Sequence, residues 1–583
     1  MFLATTADQR FWKTEEPILF LGEWCKLYDQ KHIWSKLESE VLPYHWDDRE
    51  QLYQDYKYLD ELNERYLKLL TKLLNELHQV DRSVRYWRIL IGYWLLHSIP
   101  ILYDRYLSIC NASRSGRVTN TWIMPYAPGQ MTPRDFSHFV NLFVSDQYNQ
   151  YLYSEIIRLS KLLPFEELRT GFTPSVTVKS PRKNLLRRIA RTALRAYAKD
   201  FPFRLNDIVF VASGFDVPNL TRLEIDLRQW PSLMAPNIET PQTEINQTMR
   251  QRLVLDEGRN EFEMLLDKFL PEQLPSAYAE SYQEMHNRSL DAFPRKPKLI
   301  VTGTGYAQNE GFKFWSAHQV ENGAKLAVLQ HGGHYGSGLW SATEDFEIKI
   351  SDRFYTWGWQ DDRSEKTVPA PAPNLIKFAR APKPDPQGRL LWVQNSMPRY
   401  SYFMYSIPAG PQMLEYLSDQ HRFLEMLEPR VRDLLLLRLY PSDYGWSEAN
   451  RWQDIDPALC QDRGREALRS QMRRSRLLIS TNNSTTFLET LAANFPTVIF
   501  WNPRHWELRP SAQDHFDELR RVGILHDTPE AAAAQVNAIY EDVVSWWQGP
   551  EIQRVRDRFC RQFARTGQNW LNEWRKELVA QVR

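Results

Sequence analysis

The sequence predicts an α/β protein: two parallel-sheet domains facing a cleft, with a large helical elaboration in the amino-terminal half. Three observations predict it. From Asp207 to Trp501, short apolar runs alternate with stretches of helical periodicity. Those runs stop at small or glycine-rich polar loops, as strands do at the ligand-binding edge of a parallel sheet. Prolines at 369, 371, 373, 382, 384 and 386 then divide the pattern into two halves.

Bulk composition narrows the function classes. A chain of 583 residues is long enough for two or more domains with substantial cores. Lys plus Arg is 73 and Asp plus Glu is 72, so no bulk charge points to a nucleic-acid partner. Cys25, Cys110, Cys460 and Cys560 are scattered without metal-type spacing, which implies a reducing, cytoplasmic setting rather than a disulfide framework. Met1 to Ala7 lacks the basic region and long apolar run of a secretory signal. Ile89 to Tyr103 is interrupted by Gly92, His97, Ser98 and Pro100, so it reads as a buried helix rather than a membrane span.

Taken in order, Met1–Ala4 and Pro17–Leu21 read as short strands. From Asp48 to Val80, Leu52, Tyr56, Leu59, Leu62, Tyr66, Leu69 and Leu73 recur near the helical period. Ser83–Ile109 and Pro133–Leu163 read as further helices. The expected first domain is therefore 1–367, with a helical insertion at about 48–200. Within it, Arg187, Arg191 and Arg195 stand at four-residue intervals in the segment 179–199. Such a basic face suits peripheral contact with an anionic membrane or, with the greater weight here, a solvated surface.

Ile208–Val211 is the next strand, followed by helical stretches at Thr243–Phe269 and Ala277–Leu290. Lys298–Thr302 opens into a loop with Gly303 and Gly305, and Glu310–Asn322 is helical. Lys325–Gln330 ends at His331, Gly332, Gly333, His334 and Gly336. Residues 368–388 form the linker, and 389–545 the second domain, with strands at Arg389–Val393 and Leu434–Leu439. Residues 546–583 make a tryptophan-rich helical tail.

The second domain holds the densest signal. An apolar strand ends at Ser480, a polar loop runs through Asn483 and Ser484, and a helix starts at Thr485 and Thr486. Hydroxyls there can cap the helix while its free N–H groups seat a phosphate. Glu489 lies four residues beyond Thr485 on the same face, where its carboxylate can accept from sugar hydroxyls. An ordinary capped helix with a surface glutamate fits the same residues. Asp454-Ile455-Asp456 falls in an expected loop, not after a strand, so no catalytic metal is expected. His331, His334 and Glu310 are the candidate general bases, each with a structural alternative.

The chain resembles glycosyltransferases of the GT-B architecture, with two Rossmann-type domains. More narrowly it resembles the LIC12162-type transferases of O-antigen and surface-polysaccharide gene clusters. Gly303-Thr304-Gly305-Tyr306, Gln330 to Gly336, Arg438-Leu439-Tyr440-Pro441 and Ser480 to Glu489 carry the resemblance. The Gln-His-Gly strand end is also similar to capsule Kdo transferases and teichoic-acid glycerophosphotransferases, which use cytidine nucleotides. The resemblance implies a metal-independent glycosyltransferase without a cofactor beyond its nucleotide-sugar co-substrate. The donor would be CMP-linked, for instance to a nonulosonate-type acid, and the acceptor a glycan or lipid-linked glycan. It also implies that Glu489 binds the ribose and that Arg438 and the helix amino terminus bind phosphate. A CDP-alcohol phosphotransferase and a non-enzymatic scaffold are the alternatives on the same fold.

Overall fold

The computed structural model describes residues 1–168, 206–232, 236–361, 364–380, 383–402 and 404–583; the basic segment 179–199 lies outside them. The described residues form three parallel sheets rather than two. In the first, β1 (Phe2–Ala4), β2 (Ile18–Phe20), β3 (Ser39–Val41), β4 (Asn120–Ile123) and β5 (Glu166–Glu167) lie in the order β3-β2-β1-β4-β5. The expected helical insertion at about 48–200 thus contributes β4 and β5 to the sheet that the expected strands β1 and β2 begin. Apolar runs alone miss β5 for a physical reason: it is two exposed glutamates, and backbone pairing to β4 alone defines it.

The second sheet runs in sequence order through β6 (Ile208–Val211), β7 (Leu299–Thr302), β8 (Lys325–Leu329), β9 (Arg353–Thr356) and β10 (Thr367–Pro369). The third contains β11 (Arg389–Val393), β12 (Leu435–Arg438), β13 (Gln461–Asp462), β14 (Ser475–Ser480), β15 (Thr497–Phe500) and β16 (Leu525–His526). Its order, β13-β12-β11-β14-β15-β16, reverses between β11 and β14. A crevice opens at such a reversal, outside the carboxyl ends of the strands. The expected linker is partly structured: β10 is an edge strand, where Pro369 costs no ladder hydrogen bond, and Pro373 opens a short helix to Ile376.

Eight helices matter below. They are α1 (Arg49–His78), α2 (Val84–Arg114), α3 (Asp146–Ser160), α4 (Glu310–Glu321), α5 (Ala342–Ile350), α6 (Thr485–Ala492), α7 (Pro550–Phe563) and α8 (Trp570–Val582). Asp48 accepts from the Gln51 N–H and Ser83 from the Tyr86 N–H, which fixes where α1 and α2 begin. Trp87, Ile91, Trp94 and Leu95 of α2 are fully buried, and the helix runs on through Pro100. The single helix expected over Pro133–Leu163 is two, because Ser145 caps α3 through the Tyr148 N–H and ends the helix Phe136–Phe143. The stretch Thr243–Phe269 likewise breaks, and Asn260 caps a new helix, Glu261–Gln273. The first sheet's own reversal, between β1 and β4, is filled by protein. Thr5 and Thr6 hydroxyls donate to Gln150 of α3, and Arg399 and Tyr400 reach Asp146 at 2.8 and 2.5 Å.

Candidate functional site

The site is built where the loops after β8 and β14 meet. Gln330 is buried at the end of β8. Its Nε2 donates to the Gly332 carbonyl at 2.8 Å, and its Oε1 accepts from the Trp357 N–H and Trp359 Nε1, both at 2.8 Å. All three bonds hold the loop in one shape. His331 then places Nδ1 3.1 Å from Glu347 Oε1 of α5, with its side chain 32% exposed while the carboxylate is fully buried. The Glu347 carboxylate also accepts from the Tyr306 and Tyr335 hydroxyls, the latter at 2.7 Å. Glu347 Oε2 has no hydrogen-bond partner among the described residues. Nδ1 is buried and makes no hydrogen bond among the described residues, so the 3.1 Å contact with Glu347 is a charge pairing, and Nε2 is the ring nitrogen left to take a proton.

The other two candidate bases are placed differently. His334 is enclosed, its Nε2 3.0 Å from Ser341 Oγ, and burial pushes its pKa down to about 3. It stays neutral and shapes the loop. Glu310 is buried at the start of α4, where Lys313 Nζ at 2.8 Å, Tyr278 Oη at 2.7 Å and the Phe136 N–H at 3.1 Å all donate to it. None of these partners belongs to the Gln330–Gly338 loop.

The glycines divide in the same way. A Cβ on Gly333 would stand 2.4 Å from the Ser484 carbonyl carbon and 2.5 Å from the Thr485 nitrogen, so only glycine permits this approach to α6. Gly336 has φ +71° and faces the Trp359 indole, which also demands glycine. Gly332 is crowded by the Tyr335 and His334 rings. Gly303 and Gly305 serve the turn after β7, donating to the Ala212 carbonyl and to Thr302 Oγ1.

On the facing side, Ser484 is the first residue before α6, but its hydroxyl donates to Asn482 Oδ1 at 2.5 Å and does not cap the helix. The amino terminus of α6 is thus free of any side-chain cap. Ser480 Oγ is buried with no partner among the described residues. Asn483 Nδ2 donates to Ser337 Oγ at 3.1 Å, and the Arg509 N–H to the Ser337 carbonyl at 2.9 Å, so the two loops are joined directly. Thr485 and Thr486 are half-buried on the first turn.

Glu489 sits one turn further along α6. Its carboxylate is partly accessible yet surrounded by protein, and that burial raises its pKa to about 7 against the opposing pull of Lys377 and then Arg438. Arg438 is committed elsewhere: its Nη1 reaches Asp462 Oδ2 at 3.1 Å, the Glu466 carbonyl at 2.7 Å and Gln471 Oε1 at 2.6 Å. Asp454 lies in the helix Glu448–Ile455, not in the loop expected, and pairs with Lys31 at 2.6 Å. Among the described residues no group of three His, Cys, Asp or Glu side chains could hold a metal ion, and no helix is long and apolar enough to cross a membrane.

Glu347 and Lys377 were not singled out in the sequence, whereas Tyr335 falls within the Gln330–Gly336 motif. No spacing rule links Glu347 to His331, since the turn between β8 and α5 alone brings them together. Compared with protein-family models, residues 1–578 match the LIC12162 family transferase, and the chain belongs to that family. No curated protein matches it.

Proposed function

We propose that this LIC12162-family transferase is a metal-independent glycosyltransferase of GT-B type, with the second and third sheets as its two halves. The observation that carries the reading is the pairing across the loops: His331 backed by buried Glu347 on one side, the uncapped amino terminus of α6 on the other. In the reaction, His331 Nε2 takes the proton of an acceptor hydroxyl, whose oxygen bonds to the donor's anomeric carbon. The bond from that carbon to the phosphate oxygen breaks. The free N–H groups of α6, with Ser480 Oγ, receive the negative charge on the departing phosphate. Glu489 accepts from the ribose hydroxyls.

The donor is a CMP-linked sugar, of which a nonulosonate-type acid is one, and the acceptor a surface-polysaccharide or O-antigen precursor reached in the cytoplasm at the inner face of the membrane. Cytidine donor and glycan acceptor rest on the resemblance of the Gln330–Gly336 and Ser480–Glu489 motifs. The test is a turnover assay with CMP-sugars in the presence of EDTA, read by mass spectrometry of the acceptor. Sugar transfer that survives EDTA and fails in His331→Ala supports the reading. Transfer of a phospho-alcohol from a CDP donor would replace it, and no turnover with any nucleotide donor would favour the scaffold.

A further inference from the structure

The loop that carries His331 is gripped at its far end by the other half of the molecule. Gly338 and Leu508 form an isolated antiparallel bridge, and the Leu339 N–H donates to the Glu507 carbonyl at 2.8 Å. Arg509, on the connection that follows β15, holds the same stretch with both backbone and side chain. Its N–H donates to the Ser337 carbonyl at 2.9 Å and its Nε to the Gly338 carbonyl at 3.0 Å. Its Nη2 donates at 2.9 Å to Oε1 of Glu344, whose Oε2 accepts from the Gly336 N–H at 2.8 Å. The Glu344 side chain is 1% exposed and that of Arg509 12%, so removing either partner strands a charge away from water.

Two routes lead from this guanidinium to His331. Glu344 and Glu347 stand three residues apart on α5, hence on one face of it, and Glu347 is the carboxylate that meets His331. The guanidinium also rests 5.7 Å from the centre of the Trp359 ring, and Trp359 Nε1 donates to Gln330, the residue before His331. We infer that Arg509 is a positioning residue for the general base: through it, the half that carries α6 sets where His331 stands. The inference rests on the transferase reading and on His331 as its base. Arg509 acts through His331, so its loss costs rate only where an imidazole is present to be placed.

The test is a double-mutant cycle on the full chain, with kcat and KM from the CMP-sugar transfer assay for wild type, Arg509→Met, His331→Ala and the two combined. Arg509→Met should lower kcat by about 10- to 100-fold, the scale of a lost charged hydrogen bond, with donor KM little changed. In the His331→Ala background the same substitution should cost no more than about 2-fold, because groups that act as a unit are not additive. Arg509→Lys keeps the charge beside Glu344 but loses the planar fork, so it should recover part of the rate, and it carries the cycle if the methionine variant does not fold. An equal loss of kcat in both backgrounds would make Arg509 a structural brace and overturn the inference while the transferase reading stands. A raised KM with kcat intact would overturn it in the same way. Wild-type kcat in His331→Ala would remove the base and the inference together, and a wild type that transfers nothing from any nucleotide donor would overturn the transferase reading itself.

Discussion

At the scale of single residues, the pair His331–Glu347 separates chemistry from architecture. Glu347→Gln keeps the side chain's volume but removes the anion that would stabilise an imidazolium. A general base contributes about 10²–10⁴-fold to rate, so His331→Ala should lower kcat by that order and Glu347→Gln by a smaller part of it, with KM little changed. Steady-state kinetics beside thermal melts would check this; a lower Tm with intact kcat would make Glu347 merely structural. Glu489 supplies a second test. Burial raises its pKa to about 7, so the carboxylate that accepts from ribose is fully ionised only above that pH. Nucleotide affinity should therefore strengthen as pH rises through about 7, and Glu489→Gln should flatten the profile. The stability sign is opposite. The unfolded carboxylate ionises near the ordinary glutamate value of 4.5, so the stability Glu489 contributes is fully present below 4.5 and lost as pH rises through about 7. Melts from pH 4.5 to 8 should show wild type losing more than the glutamine variant.

At the scale of elements, the loop after β8 and the first turn of α6 touch through Gly333. A methyl group there meets backbone, which cannot swing aside as a side chain can. Gly333→Ala should push the loops apart and, since a shift of about 1 Å can cost about 100-fold, lower kcat/KM well beyond any change in Tm. Unchanged kinetics would show that the contact is not part of the working geometry. The strand–loop–helix units that build this contact were legible because Leu326–Leu329 and Leu477–Ile479 are unbroken apolar runs, each ending at small residues. The helix that carries Thr485 and Glu489 was legible through helical spacing, but its hydroxyls were expected to cap it, and its first turn carries no side-chain cap. The first sheet was legible only in β1 and β2, since β3 is Ser39–Val41 and β5 a pair of glutamates. Nor was the role of Arg438, whose three partners on Asp462, Glu466 and Gln471 are brought to it by sheet order and not by sequence distance.

At the scale of the whole molecule, the tail returns from the third sheet to the second and ties together the two sheets whose loops form the site. Phe559 of α7 packs at a tilt against Phe487 of α6, their ring centroids 6.1 Å apart. The chain then crosses: the Arg565 N–H donates to the Trp357 carbonyl at 2.8 Å, and the Ala372 N–H to the Arg565 carbonyl at 2.7 Å. α8 closes over the second sheet, with Trp570, Trp574 and Leu578 in one buried cluster with Ile208, Val301 and Tyr355. Trp574 is 1% exposed and its Nε1 donates to the Pro371 carbonyl at 2.9 Å. Truncating so large a buried ring costs about 3–5 kcal/mol. Trp574→Ala should therefore lower the unfolding free energy extrapolated from urea melts by an amount of that size. Because the same helix fixes β9 and the connection carrying Lys377, nucleotide affinity should fall with it, whereas Glu347→Gln should leave affinity intact. A loss below about 1 kcal/mol, outside the range for buried tryptophan, would mean that the tail only covers the second sheet and does not brace it.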